Sequence, residues 1–255
     1  ELDEYAAFLE DVQRAAELQD LPLDTALKEC APGQFEITLG HCNDALRACD
    51  SAVLLKRLVK GVALNHGFEA TFMAKPYGLE AGNGTHVHLS MLDASDRNVF
   101  AADNGDLLGS QTLHWAVAGL LELMPASMAI FAPNLNSFRR FQPGLYVPMA
   151  PTWGFDNRSV ALRIPSGNND ARRIEHRVAG ADVNPYLLLA VLLASIEHGI
   201  AEQLTPPAPV EGNAYEQFGP SLTNSWQQAI DLLEACEPLK SALGREFVHV
   251  FAANR

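Results

Sequence analysis

Asp156-Asn157-Arg158-Ser159-Val160-Ala161-Leu162-Arg163-Ile164-Pro165, a short polar loop, and then Ala171-Arg172-Arg173-Ile174-Glu175-His176-Arg177 read as two strands in succession. Alternate residues of an extended strand share a face. In the second strand Arg173, Glu175 and Arg177 point one way and Ile174, His176 and Val178 the other. In the first, Ala161 and Arg163 share a side, with Val160, Leu162 and Ile164 opposite. Each strand therefore has an apolar face and a face carrying arginine. Residues 139–177 hold seven of the chain's 18 Lys and Arg and only three acids, on a chain of formal charge −13. A local concentration of guanidinium on an acidic protein points to an anion site, because the arginine fork matches carboxylate and phosphate. The alternative is a solvated sheet face.

The 255 residues suffice for one large domain or two small ones. The acidic balance argues against a nucleic-acid partner. Cys30, Cys42, Cys49 and Cys236 form no CxxC pair and no framework spacing, so they read as reduced thiols of a cytoplasmic protein. No signal peptide is visible, and the longest apolar run, near residues 187–194, is too short to cross a membrane. The chain begins at Glu1 and stops at Arg255 within helical patterns, so both ends look cut.

Working outward, helical spacing covers residues 3–18. Pro32-Gly33 breaks the chain before a strand in which Phe35, Ile37 and Leu39 oppose Glu36 and Thr38. Glu29 and Glu36 flank that break and converge if the chain turns there; otherwise they are two surface acids. Asp44 caps a helix over residues 45–65 with Leu46, Val53, Leu54, Leu58 and Val62 as its inner stripe. Residues 68–73 read as a strand and 75–84 as a turn-rich loop. In the strand over 85–92, His86, His88 and Ser90 share a face, so both imidazoles can address one cavity as metal ligands or remain structural. A polar hairpin-like insertion follows at 93–106, then a helix over 107–130 and a long irregular loop over 132–148 bearing Arg139 and Arg140. Asn184-Pro185 opens an apolar helix to about residue 203, residues 205–219 form a Pro-rich surface loop, and two helices close the chain at 222–236 and 239–253.

Gly33-Gln34-Phe35-Glu36, Lys75-Pro76, His86-Val87-His88-Leu89-Ser90, Asn136-Ser137-Phe138-Arg139-Arg140, Asn157-Arg158-Ser159, Arg163-Ile164-Pro165, and Arg173-Ile174-Glu175-His176-Arg177 with Asn184-Pro185-Tyr186 stand in the order seen in the glutamine synthetase catalytic domain. The resemblance covers essentially the whole chain. It implies an α+β fold of the glutamine synthetase/guanido kinase-like type, a curved and mainly antiparallel sheet backed by helices. It also implies an ATP-dependent ligase that activates the glutamate side chain as an acyl phosphate and passes it to an amine.

By that resemblance Glu29 and Glu36 ligate one Mg2+ or Mn2+ ion, and His86 and Glu175 the second. His88 and Ser90 lie by the nucleotide. Gly82 offers backbone to glutamate, Arg140 and Arg177 hold its carboxylates, and Arg158, Arg163 and Arg173 hold phosphate oxygens. The chain departs from the glutamine-forming pattern at Tyr146, where those enzymes carry a glutamate, and at Ala81, where many carry asparagine. A neutral aromatic in place of the carboxylate favours a larger amine, as in the γ-glutamylpolyamine and γ-glutamylputrescine synthetase branch. The family's N-terminal β-grasp domain and a strand with two further metal-ligating glutamates precede the point where this chain begins. The resemblance implies a homo-oligomeric ring, a dodecamer, for the complete enzyme. Its alternatives are a glutamine synthetase using ammonia, an incomplete catalytic domain serving as a nucleotide-binding or assembly module, and a metal hydrolase built on the two histidines.

Overall fold

The computed structural model describes residues 2–102 and 108–254. The last residues of the expected insertion (103–106) and Leu107, where the long helix was expected to begin, lie outside them, as do the two terminal residues. Helix α1 (Ala6–Leu18) precedes a hairpin of β1 (Leu23–Lys28) and β2 (Phe35–Leu39), followed by α2 (Ala45–Asn65). Strand β1 has no counterpart in the expectations. The Asp44 side chain accepts from the Leu46 and Arg47 amides, so the cap is the one its sequence position predicts. The inner stripe differs. Leu46, Val53 and Leu54 face outward, while Leu55, Leu58, Val59 and Ala63 pack on Phe8, Val12 and Ala16 of α1. Apolar residues lie on more than one side of α2, and the position of α1 selects the buried one. Residues 68–73 run without strand pairing, their apolar side chains Phe68, Ala70 and Phe72 resting against this same cluster.

Strand β3 (Val87–Leu89) is shorter than expected. Beyond it the chain turns back through a Leu92–Asn98 bridge and enters α3 (Gln111–Phe131), capped by Ser110. The expected irregular loop contains a single helical turn, α4 (Leu135–Phe138), closed by a capping box between Asn134 and Ser137. Strands β4 (Trp153–Phe155), β5 (Leu162–Ile164) and β6 (Ile174–His176) follow, then α5 (Pro185–Ala201), whose cap Asn184 accepts from Tyr186 and Leu187. The Pro-rich loop holds a short α6 (Ala214–Gln217). The C-terminal region is α7 (Trp226–Ala235), α8 (Glu237–Leu243) and α9 (Arg245–Ala253). Gly244, at φ 94°, splits what the pattern reads as one last helix, a conformation an L side chain rarely adopts.

The larger sheet has the order β3-β6-β5-β4. β6 is antiparallel to both neighbours, and only β4 runs parallel to β5. Leu89, Leu162, Ile164, Ile174 and Val178 send their side chains into a core shared with α3, α5 and the C-terminal helices. Helix α3 is apolar all round and long enough to cross a membrane by length and composition, and it, rather than the 187–194 run, is the longest such stretch. Yet 72% of its most apolar window is buried inside the protein, as expected of a core helix. It meets α5 backbone to backbone: a Cβ on Gly119 would lie 2.1 Å from the Ser195 carbonyl and 2.6 Å from the Gly199 amide. Both helices need glycine here, and together they form a close-packed layer behind the apolar side of the sheet.

Candidate active site

The opposite side of the same three strands carries the polar row. Pairing places His88 across from Glu175, and Glu175 across from Arg163. Alternation then sends these three side chains to one face while Ile174 and His176, both fully buried, go to the other. The Glu175 carboxylate is 3% exposed. It accepts from Arg163 Nη1 at 2.9 Å and from Arg177 Nη1 at 2.5 Å, and His86 Nδ1 stands 3.5 Å from its Oε1. Burial pushes this carboxyl up, but Arg177 and Arg163 outweigh burial and hold it below its ordinary value. The Glu175 end of the face is thus buried and ion-paired, whereas His86, His88 and Ser90 beside it are exposed.

His86 and His88 are both held neutral. Burial lowers their proton affinity, and Arg177 near His86 and Arg173 near His88 reinforce it. His88 Nδ1 accepts from Arg173 Nε at 3.0 Å, which puts the ring proton on Nε2 and leaves that N–H free to donate. His86 keeps a lone pair suited to a metal.

The hairpin brings the other two acids together. Gly33, at φ 66°, turns the chain so that the Glu29 amide donates to the Gln34 carbonyl at 2.9 Å. Glu36, two residues past Gln34, therefore falls on Glu29's face. Burial first, then the adjacent Glu29 carboxyl and the more distant Glu175, raise the Glu36 pKa. Two half-buried carboxylates in mutual reach are the arrangement that a hard divalent cation relieves, so the residues fit Mg2+ or Mn2+. Each expected metal has two donors. Among the described residues, no group of three or more His, Cys, Asp or Glu is placed to hold an ion.

Arg140 is buried beneath the glycine-rich loop. Its Nη1 donates to the Val178 carbonyl at 2.6 Å, and its Nη2 reaches the Arg177 carbonyl at 3.5 Å. A Cβ on Gly82 would come within 3.0 Å of the Arg140 Cγ, and one on Gly84 within 2.7 Å of its Nη2. Gly82 and Arg140 are thus neighbours. Gln34 fixes that loop by donating to the Gly82 carbonyl at 3.1 Å and to Asn83 Oδ1 at 2.8 Å.

The remaining expected residues fall differently. Ser90 and Arg158 are exposed. Among the described residues no hydrogen bond or ion pair joins Arg158 to Glu175; Arg158 lines an open cleft of about 620 Å³ with Phe155, Asp156, Pro209 and Val210. Asp156 links the two places, because it pairs with Arg163. Tyr146 is 67% exposed and adopts φ 54°, a strained conformation for an aromatic residue, in the loop after Arg140. The expectation that the arginines await an external anion holds only in part: Arg163 and Arg177 already have acidic partners, whereas Arg140 bonds backbone carbonyls and Arg173 bonds His88 and the Ala171 carbonyl.

Three contributors had no assigned role at the sequence level. Asp156 reads only as the first residue of the stretch leading into a strand. Asp182 accepts from Ser137 Oγ at 2.5 Å and Asn134 Nδ2 at 3.1 Å, and so anchors α4 just ahead of Arg140. Tyr215 lay hidden in a Pro-rich loop that carries no periodic signal.

Residues 1–255 match the family described as "Glutamine synthetase, catalytic domain". The chain is 46% identical over 252 residues to "Gamma-glutamylputrescine synthetase PuuA" of Escherichia coli strain K12, covering 99% of this chain and 53% of that protein. It is 40% identical over 228 residues to "Gamma-glutamylethanolamide synthetase GlnA4" of Streptomyces coelicolor, covering 89% and 48%. It is 35% identical over 250 residues to "Glutamine synthetase" of Thermotoga maritima, covering 94% and 56%. The chain spans about half the length of these curated relatives. A solved structure described as "GmaS/ADP complex-Conformation 1" superposes with a TM-score of 0.90 at 31% identity, covering 99% of this chain and 60% of that one.

Proposed function

Because the chain belongs to the glutamine synthetase catalytic-domain family, we propose that its protein is an ATP-dependent ligase joining the γ-carboxyl of glutamate to an aliphatic amine such as putrescine. A γ-carboxylate oxygen bonds to the terminal phosphorus of ATP, and the bond from that phosphorus to the ADP oxygen breaks. The amine nitrogen then bonds to the activated carbonyl carbon, inorganic phosphate departs, and the nitrogen sheds a proton to give the amide. Such transfers depend on positioning and charge neutralisation more than on covalent help.

The observation that carries this reading is the row His88–Glu175–Arg163 on one polar face, centred on the buried Glu175 carboxylate, with His86 and Arg177 at the same carboxylate. Glu29 with Glu36, and His86 with Glu175, would hold the two divalent cations, whose charge neutralises phosphate oxygens when bound. Arg163 and Arg173 orient the transferring phosphoryl group, while Arg158 faces the adjoining cleft. His88, through Nε2–H, and Ser90 address the nucleotide. Gly82, Arg140 and Arg177 hold glutamate. Tyr146 favours an alkyl amine over ammonium because it offers no carboxylate to bind the cation.

The test is ADP release with ATP, Mg2+ and glutamate, comparing putrescine with ammonium. The expected result is turnover that requires glutamate and amine together, with the larger kcat/KM for putrescine. A larger kcat/KM for ammonium overturns the choice of amine and points to the ammonia-using branch named among the relatives. No nucleotide turnover with either points to a non-catalytic module.

The acidic pair has its own readout. Mg2+ or Mn2+ at ~100 times its dissociation constant stabilises a one-site protein by about 2.7 kcal/mol. For a chain of this size that corresponds to a midpoint rise of roughly 5–10 °C. Thermal unfolding at neutral pH is expected to show that rise in the wild type. Glu36→Gln, which removes one of the two opposed charges, is expected to raise the midpoint in chelator and to flatten the cation response. Equal cation responses in the two proteins would exclude Glu36 as a ligand.

A further inference from the structure

Tyr215 lies in α6, far in sequence from every arginine of the site, and it is held there firmly. Asn157 Nδ2 donates to the Val210 carbonyl at 3.1 Å and the Gly212 carbonyl at 2.8 Å. Ser159 Oγ donates to Asn157 Oδ1 at 2.6 Å and accepts from the Ala214 amide at 2.9 Å. The Asn213 side chain caps the turn by accepting from the Tyr215 amide at 3.1 Å. The segment ahead of β5 thus fixes the backbone that carries Tyr215.

The ring ends in an unusual place. Its hydroxyl oxygen is buried and has no hydrogen-bond partner among the described residues. Arg177, Arg140 and Tyr146 all lie within electrostatic reach of the phenol. Arg140 Nε and Arg177 Nε are likewise buried without a partner among the described residues. A buried donor left unpaired is destabilising, and natural folds leave few of them. Three donors in one neighbourhood, two of them on cations, form an acceptor-seeking cluster. A carboxylate offers about four lone-pair positions and suits such a cluster. Neither a cationic amine nor an apolar chain would satisfy it.

We propose that the Tyr215 hydroxyl is a third donor of the carboxylate subsite formed with Arg140 and Arg177, contacting the amino-acid substrate directly. The proposal rests on the reading that those two arginines hold glutamate. It adds a contact from a segment that also adjoins Tyr146, so that one loop senses the amino acid and borders the amine's approach.

Tyr215→Phe keeps the ring and deletes only the hydroxyl. Because that hydroxyl has no partner among the described residues, the thermal midpoint is expected to stay level or rise, which separates a binding contact from a structural one. Titration calorimetry with L-glutamate is expected to show about tenfold weaker binding, the size of one hydrogen bond to a charged group. Steady-state assays should show the same rise in KM for glutamate, with KM for ATP unchanged. Equal glutamate affinity in the two proteins, with the wild type active, overturns the proposal and leaves the ligase reading standing. A wild type that neither binds glutamate nor turns over ATP with it overturns both. A lowered midpoint in Tyr215→Phe shows the hydroxyl to be structural and also overturns the proposal.

Discussion

Glu175→Gln is expected to reduce amine-dependent ADP release by more than ~100-fold, since loss of outer-shell partners alone costs metal sites about 10–100-fold. Glutamine has the same shape, so the loss comes from charge. The carboxylate stands at the centre of the row: it neutralises Arg163 and Arg177, and it shares its Oε1 side with His86. An amide can accept from one arginine through its oxygen, but its NH2 meets the other donor head-on. Arg163 keeps Asp156 as a second partner. Arg177, 7% exposed, has no other acidic partner among the described residues and is left as a buried cation. Removing one partner of a buried pair destabilises by about 3–5 kcal/mol, so the assay belongs well below the variant's own midpoint. Activity within tenfold of wild type, in folded protein saturated with Mg2+ or Mn2+, would sink the assignment of Glu175 as a metal ligand.

Arg140→Lys is expected to raise KM for glutamate by about 30-fold or more, because truncating a buried hydrogen-bonded charge costs about 2–5 kcal/mol. Burial and the nearby Arg177 lower the Arg140 pKa to about 10, so it remains charged at neutral pH. Its fork reaches the Val178 and Arg177 carbonyls, while Nε stays unbonded beneath Gly82 and Gly84. A lysine has a single ammonium at the end of a flexible stem. It can grip the carbonyls or face the substrate, but it cannot present a plane of donors to both. KM for ATP is expected to stay within about threefold, because no hydrogen bond joins Arg140 to His88, Arg163 or Arg173, the residues proposed to face the nucleotide. An unchanged KM for glutamate would remove Arg140 from the substrate site.

Much of this site is legible in the sequence because strand parity is independent of partners. Once residues 162–164 and 174–176 are extended, Arg163 and Glu175 must leave the apolar face. The motif order then supplies roles. What parity cannot give is which strand lies beside which. Strand β4 carries no alternating signal, being only Trp153-Gly154-Phe155 between a proline-flanked loop and a turn. Its parallel pairing with β5 decides that Asp156 lands on Arg163. Hence Asp156 was missed, and Arg158 was expected at the phosphate row but lines the adjoining cleft. The α2 stripe failed for a related reason: when leucines occupy several sides of a helix, only the neighbouring helix determines which are covered. Tyr215 is the extreme case, since its neighbours come from three distant segments and its own loop has no period.

The close approach at Gly119 and Gly199 bears on how amine choice can change. With the strands clamped between a backbone-tight helical layer and an ion-paired row, there is little slack to redraw the polar face proposed to handle phosphate. The turn at 143–148 carries no such constraint, and it bears Tyr146. Libraries confined to that turn should retarget the amine while leaving nucleotide chemistry intact, which makes the fold a fixed engine with an exchangeable mouth.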